Sequence, residues 1–135
     1  MIVGQVPALC VPAIWSRVRP FIAAALAHSA GHMRPEDVLD DVVKGDRQLW
    51  AGRSAAGVEA VCVTRVAEYP STRALWVMES AGNLEAVQHF WPVLRDYATR
   101  HQCKTVCFMG RRGWRQGGVL PMEFRHTSDL WVAEV

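Results

Sequence analysis

Three arginines surround a tryptophan near the end of the chain: Arg111, Arg112 and Arg115 flank Trp114. A guanidinium is a planar donor that pairs with phosphate or carboxylate, and an indole offers a face on which a base can stack. This cluster predicts a contact surface for a partner or an anion. In the alternative interpretation, Trp114 covers the core and the arginines are solvated or paired with acids such as Glu123.

Histidines and cysteines indicate less chemistry. His28 and His32 would share one face of a helix as metal ligands, but Gly31 between them predicts that the helix ends there. Cys103 and Cys107 lie on one face of an apparent strand, too far apart to bond each other. We therefore expect four reduced, buried thiols and no metal site, and the chain has no nucleophile-elbow or phosphate-loop motif.

Composition bounds the class of protein. The 135 residues suit a single domain over 1–135, and a hydrophobic content of 50% excludes a disordered tail. A formal net charge of +2 does not indicate bulk nucleic-acid binding. The six tryptophans exceed what a core of this size needs, so one or two of them, Trp91 and Trp131 first, are expected at a protein–protein interface.

The first sixteen residues carry no charge, yet they do not read as a signal peptide. No cationic segment precedes the apolar stretch, and Pro7 and Pro12 interrupt it. The stretch is also shorter than the roughly 20 residues that span a bilayer. We therefore expect a soluble, cytoplasmic protein without membrane contact.

The spacing of apolar residues predicts the helices and strands that position these side chains. Helical spacing predicts a helix from residue 12 to about 31 with a kink or break at Pro20, and a second helix over 35–44. A third helix, with Asn83 as its N-cap and an interruption at Pro92, is predicted over 84–100. Strands are predicted at 4–11, 48–52, 58–69, 74–79 and 104–109, with a terminal hairpin at 122–127 and 130–135. The strand–helix–strand segment from 74 to 109 implies a parallel pair.

This order of elements resembles the GNAT (N-acetyltransferase) fold over almost the whole chain. The segment 42–50, which ends in Leu49-Trp50, is similar to a stretch of small phage-encoded GNAT-like proteins related to an internal virion protein of T7-like phages. The segment from Cys103 through 110–114 resembles another of their stretches, although Gln102 stands in place of a glycine. The resemblance implies an α/β (α+β) fold with a mixed central sheet of about six to seven strands. An antiparallel meander and one parallel crossover make up that sheet, and about three to four helices flank it.

The resemblance also implies site residues. The turn after the fourth strand would bind acetyl-CoA, and the corresponding residues here are Ser80, Ala81, Gly82, Asn83 and Leu84. They retain one glycine and lack the family's leading Arg or Gln. Glu79 is the candidate general base, the alternative being a solvated strand end, and no tyrosine lies at 110–121 to act as the acid.

Two functions remain open from the sequence. The favoured one is a non-catalytic virion or assembly protein that contacts other proteins, either virion components or copies of itself. The departures in the acetyl-CoA segment and the surplus of Trp and Arg favour it. The alternative is an acetyl-CoA-dependent N-acetyltransferase with Glu79 as its base, and the sequence leaves open whether the chain is an enzyme. A nucleic-acid role through the Arg111–Arg115 loop ranks third.

Overall fold

The period-two segments form the centre of one mixed sheet. The computed structural model describes residues 1–29, 31–109, 124–125, 127 and 132–134. Its strands are β1 (Ile2–Val6), β2 (Gln48–Ser54), β3 (Gly57–Glu68), β4 (Arg73–Gly82) and β5 (Thr105–Phe108). Its helices are α1 (Val11–Leu26), α2 (Pro35–Lys44), α3 (Leu84–Gln88) and α4 (Phe90–Arg100), with a 3₁₀ turn at Ala8–Cys10.

The strands lie side by side in chain order, β1-β2-β3-β4-β5. The first three pairings are antiparallel, and β5 pairs with β4 in parallel after the crossover through α3 and α4. The predicted α/β fold, with an antiparallel meander and one parallel crossover, is confirmed. The described residues form five strands, and the terminal hairpin predicted within 122–135 lies, apart from isolated positions, outside them.

Each face of the sheet carries its own apolar layer, because side chains alternate between the faces along every strand. One layer packs against α1 and α2 and contains Val18, Ile22, Val38, Val42, Leu49, Val61 and Val63. The other packs against α3 and α4 and contains Trp50, Cys62, Leu75, Val77, Ala86, Phe90 and Leu94. A functional side chain on the sheet must therefore lie in one of these two layers.

The start of the chain differs from the prediction. β1 ends at Val6 rather than continuing to residue 11, because Pro7 begins the 3₁₀ turn. Pro12 lies in the first turn of α1 as predicted, since its missing N–H costs nothing there. The helix continues through Pro20 as one element, so of the two predicted outcomes the break into abutting helices is wrong.

The helical stretch Ala8–Leu26 is long and apolar enough, with a mean hydropathy of 1.3, to cross a membrane by length and composition alone. The core helix of a globular protein passes the same test. Here Val11, Val18, Ile22 and Leu26 form a buried stripe that packs in the layer on the sheet.

The helix predicted over 84–100 is two helices. The break lies at His89, between α3 and α4, and not at Pro92. Pro92 instead occupies the first turn of α4, where its N–H has no acceptor to lose. The predicted cap is confirmed, because the Glu85 N–H donates to Asn83 Oδ1 at 2.9 Å.

Gln102 ends α4 in a conformation that favours glycine, with a φ of 61°. The Gln102 N–H donates to the Thr99 carbonyl at 3.2 Å, and the Cys103 N–H to the Ala98 carbonyl at 2.8 Å. These two bonds define a Schellman motif, in which the residue after the cap is left-handed.

We expect Gln102→Gly to raise the free energy of unfolding by about 0.5–1 kcal/mol, because it removes the left-handed strain but adds entropy to the unfolded chain. Urea denaturation measures the change. Gln102→Ala is the control, since alanine keeps the Cβ that causes the strain. Equal stabilities of the two variants would contradict this account.

Candidate active site

A β-bulge in β4 places the side chain of Glu79 on the opposite face of the sheet from the side chain of Val77. On β3, Thr64 pairs with Val77 while its neighbour Val63 pairs with Glu79, so Met78 is the extra residue. A bulge of this kind reverses the alternation of side chains. Val77 belongs to the layer under α3 and α4, whereas Glu79 shares a face with Val63 and lies on the side of α1 and α2.

The bulge lies where β4 and β5 stop pairing. Their register runs from Ala74↔Thr105 to Val77↔Phe108, and the Met109 N–H still reaches the Val77 carbonyl at 3.3 Å. β4 continues beyond this point, but no described strand pairs with it on that side. The segment 79–82 therefore has an open edge among the described residues.

Glu79 is buried, with 8% of its surface exposed, so the interpretation as a solvated strand end is wrong. Arg47 is buried to the same extent, and its Nη1 donates to both carboxylate oxygens at 3.2 Å. A single nitrogen therefore serves both oxygens. Each oxygen keeps acceptor capacity for a further hydrogen bond, because a carboxylate can accept about four.

Arg47 has a second carboxylate partner. Its Nε lies 3.2 Å from Oδ2 of Asp41, which is partly exposed in the last turns of α2. Gly45, at a φ of 86°, ends that helix and turns the chain, so that Arg47 immediately precedes β2. The Asp41–Arg47–Glu79 triad thus connects α2 to the β4 bulge and carries a net charge of −1 when all three groups are ionised.

Burial is the largest influence on the Glu79 carboxyl and raises its pKa above the usual value. Arg47 acts in the opposite direction through charge and hydrogen bonding, and the Asp41 charge adds a smaller upward contribution. The Cys62 thiol on β3 also has a raised pKa because it is fully buried, with a further upward contribution from the Glu79 charge. The net result is a carboxyl that titrates closer to neutral pH than an exposed glutamate.

The segment of Ser80, Ala81, Gly82, Asn83 and Leu84 is not the predicted loop. Its first three residues extend β4 and pair with Cys62, Val61 and Ala60 of β3. Gly82 has a φ of 119°, and a Cβ there would lie 2.3 Å from the Glu59 carbonyl oxygen and 2.6 Å from the Ala60 Cα. The close approach to β3 is sufficient to explain why this position is glycine.

The turn after β4 already uses two of its backbone donors. The Asn83 N–H donates to the Glu59 carbonyl at 3.0 Å, and the Glu85 N–H donates to the Asn83 side chain. The side chains of Glu59 and Glu85 also add negative charge near the turn. A pyrophosphate bound here would need other donors.

Ser80 lies on the opposite face of the sheet from Glu79, beside Cys62. Its buried Oγ has no hydrogen-bond partner among the described residues. An unsatisfied buried hydroxyl is costly, and native structures keep few of them. In addition, the Asn83 N–H points towards β3, so the alternation of the ladder turns the backbone groups of Ser80 towards the open edge.

The remaining candidate residues are distributed as follows. Arg111, Arg112, Trp114 and Arg115 lie outside the described residues, so their contact surface stays a prediction. The Trp91 ring packs on Phe124, with centroids 4.8 Å apart, and is therefore partly covered within the chain. All four cysteines are free, but only Cys62 is buried and Cys10 is exposed, so the expectation of four buried thiols is wrong.

Sequence comparison identifies no relatives, because no family model and no curated protein matches the chain. Structural comparison finds proteins of similar fold. An aminoglycoside acetyltransferase, meta-AAC0020, from an uncultured soil metagenomic sample superimposes with a TM-score of 0.72 at 6% identity, covering 99% of this chain and 96% of that one. A ribosomal-protein-alanine N-acetyltransferase from Brucella melitensis biovar Abortus 2308 gives 0.60 at 16% identity, with 100% and 98% covered.

A probable acetyltransferase is also similar, with a TM-score of 0.70 at 8% identity over 99% of this chain and all of that one. The chain therefore has the fold of the GNAT acetyltransferases. At these identities the comparison establishes the fold, and the chemistry must be argued from the residues.

Proposed function

We propose that the protein is an N-acyltransferase that moves an acetyl group from acetyl-CoA to an amine, with Glu79 as the general base. The observation that carries this proposal is a buried carboxyl with a raised pKa, placed by a bulge where β4 and β5 stop pairing. The acetyltransferases with the same fold support it. The alternative of the sequence analysis is thus the better supported function.

Glu79 would act by removing a proton from the acceptor amine, directly or through one water. An amine attacks a thioester only as the neutral form, and a base is most effective when its pKa lies near the working pH. Burial moves the pKa of Glu79 in that direction, while Arg47 keeps the carboxylate available as an acceptor.

The open edge of β4 fits the pantetheine arm of acetyl-CoA, the molecule that supplies the activated acetyl group. That arm contains amides, and an extended segment with amides can pair with a free strand edge. Within the predicted cofactor segment, Ser80 would contribute its backbone groups and its unpaired hydroxyl, and Ala81 and Gly82 would continue the edge. Asn83 and Leu84 would lie towards the pyrophosphate, where two N–H groups are already bonded.

The test is acetyl-CoA binding followed by turnover. At about 100 times its Kd, a ligand adds about 2.7 kcal/mol of stability, which should raise the midpoint of thermal unfolding by roughly 5–15 °C. With a panel of primary amines and a thiol-release assay, we expect Glu79→Gln to lower kcat about 10²–10⁴-fold. Glu85→Gln, which removes an exposed carboxylate from the neighbouring turn, should leave kcat unchanged. Full activity in Glu79→Gln would exclude the proposed base.

The second candidate is the non-catalytic role in a virion or its assembly, with other proteins or a second copy as partners. Two observations favour it: the donors already used in the turn after β4, and the Arg47 bond to both Glu79 oxygens. An acetyl-CoA concentration series without any shift of the unfolding midpoint would support this role. Its host cytoplasmic or virion location stays a prediction.

A further inference from the structure

Arg47 is a buried cation with two acidic partners, and the resemblance assigns it no role. Its side chain spans the distance from the end of α2 to the bulge in β4, with Asp41 on Nε and Glu79 on Nη1. A buried guanidinium must be paired, because an uncompensated charge in the interior is strongly unfavourable.

We propose that Asp41 and Arg47 are positioning residues for Glu79: Asp41 anchors the guanidinium, and the anchored guanidinium fixes the orientation of the carboxylate at the open edge of β4. The inference rests on the proposed function for its consequence in catalysis. The arrangement itself exists whether or not the protein is an enzyme.

The geometry supports an anchor rather than a chance contact. Arg47 has several rotatable bonds, and a single contact through Nη1 would leave the guanidinium free to swing. The Nε contact with Asp41 fixes the guanidinium at the other end. The carboxylate then meets a donor in a set direction and retains lone pairs for a substrate proton.

Asp41 can influence Glu79 in two opposite ways, and this provides the test. As a nearby negative charge, Asp41 raises the pKa of Glu79, so its removal alone would lower that pKa. As an anchor, Asp41 keeps Arg47 against the carboxylate, so its removal would weaken the pairing and raise the pKa. Among the described residues, the Cys62 thiol also interacts with Glu79, and it is neutral across the acidic range because of its own raised pKa.

The experiment is a carbon-13 NMR titration of the Glu79 carboxyl in the full chain, with its signal assigned by its loss in Glu79→Gln. We expect Asp41→Asn to move the titration midpoint upward by about half a pH unit or more. Arg47→Lys should also move it upward, because a lysine cannot hold both carboxylates in the same way. Asp46→Asn is the matched control: it removes an exposed charge of the same sign near Arg47, and we expect no change.

A downward shift in Asp41→Asn, or none, would overturn the inference. This readout does not depend on turnover, so it stands apart from the proposed function. If the protein acetylates amines, the acidic limb of the kcat/KM profile should move with the NMR midpoint in each variant. A limb that stays in place while the midpoint moves would exclude Glu79 as the base and leave the positioning intact.

Discussion

Replacing Gly82 by alanine is expected to lower the free energy of unfolding by roughly 3–5 kcal/mol. The methyl group would meet the Glu59 carbonyl oxygen at 2.3 Å and the Ala60 Cα at 2.6 Å, both backbone atoms that cannot rotate away. The φ of 119° adds strain for any residue with a Cβ. Since a domain of this size has about 5–15 kcal/mol in total, the variant should unfold at a much lower urea concentration.

Gly57→Ala separates the two causes. Gly57 has a similar φ of 113°, but a Cβ there has nothing within 4 Å. It should therefore lose only the strain, of order 1 kcal/mol. If both variants lost the same free energy of unfolding, the contact with β3 would not contribute to the loss in Gly82→Ala. A bulkier residue at Gly82 should destabilise the fold further, so loss of acetyl-CoA binding in such a variant would not identify a cofactor contact.

Replacing Arg47 by methionine is the second large effect, with an expected loss of about 3–5 kcal/mol. Methionine matches much of the volume but leaves the buried Glu79 carboxylate without its cation. The loss should be smaller at a pH below the raised pKa of Glu79, where the carboxyl is neutral in the folded state. Urea denaturation at several pH values measures both the loss and its pH dependence.

A double-mutant cycle tests the cause of that loss. Adding Glu79→Gln to Arg47→Met removes the unpaired charge, so the double variant should recover about 1–3 kcal/mol relative to Arg47→Met alone. Arg19→Met is the matched control, because it breaks the half-exposed pair with Glu36 and should have little effect. An Arg47→Met variant as stable as Arg19→Met would show that the buried pair does not support the fold.

Much of the fold could be predicted because local signals and tertiary structure agree. The α2 helix was predicted at its observed bounds, since acids in its first turn, a regular apolar stripe and Gly45 all indicate the same element. The crossover from β4 to β5 followed from the order of the elements. The end of β4 was predicted wrongly. Its Ser-Ala-Gly sequence is typical of a loop, yet these residues pair with β3 as part of the strand.

The site was predicted only in part. Glu79 was selected from its place at the end of a strand, but its burial and its partner were not foreseen. Arg47 lies 32 residues away in sequence, and a single arginine before an apolar strand carries no sign of its partner. The available signal was its position between a helix stop and a strand of buried residues, where a charged side chain must find an opposite charge.

The bulge at Met78 has a consequence for how such a site can be recognised in other sequences. Along a strand, odd and even residues point to opposite faces of the sheet, and one extra residue reverses this assignment for every residue that follows it. Loss of the Met78 codon would make the register of β3 and β4 continuous, with Glu79 still opposite Val63 and Ser80 still opposite Cys62. The carboxylate would therefore stay on the face of α1 and α2, where Arg47 lies, and only the sequence spacing between Val77 and the acid would change. A protein with the same site but no bulge would therefore carry its acid directly after the equivalent of Val77, and a comparison of residue types column by column would miss the match unless it left Met78 unpaired.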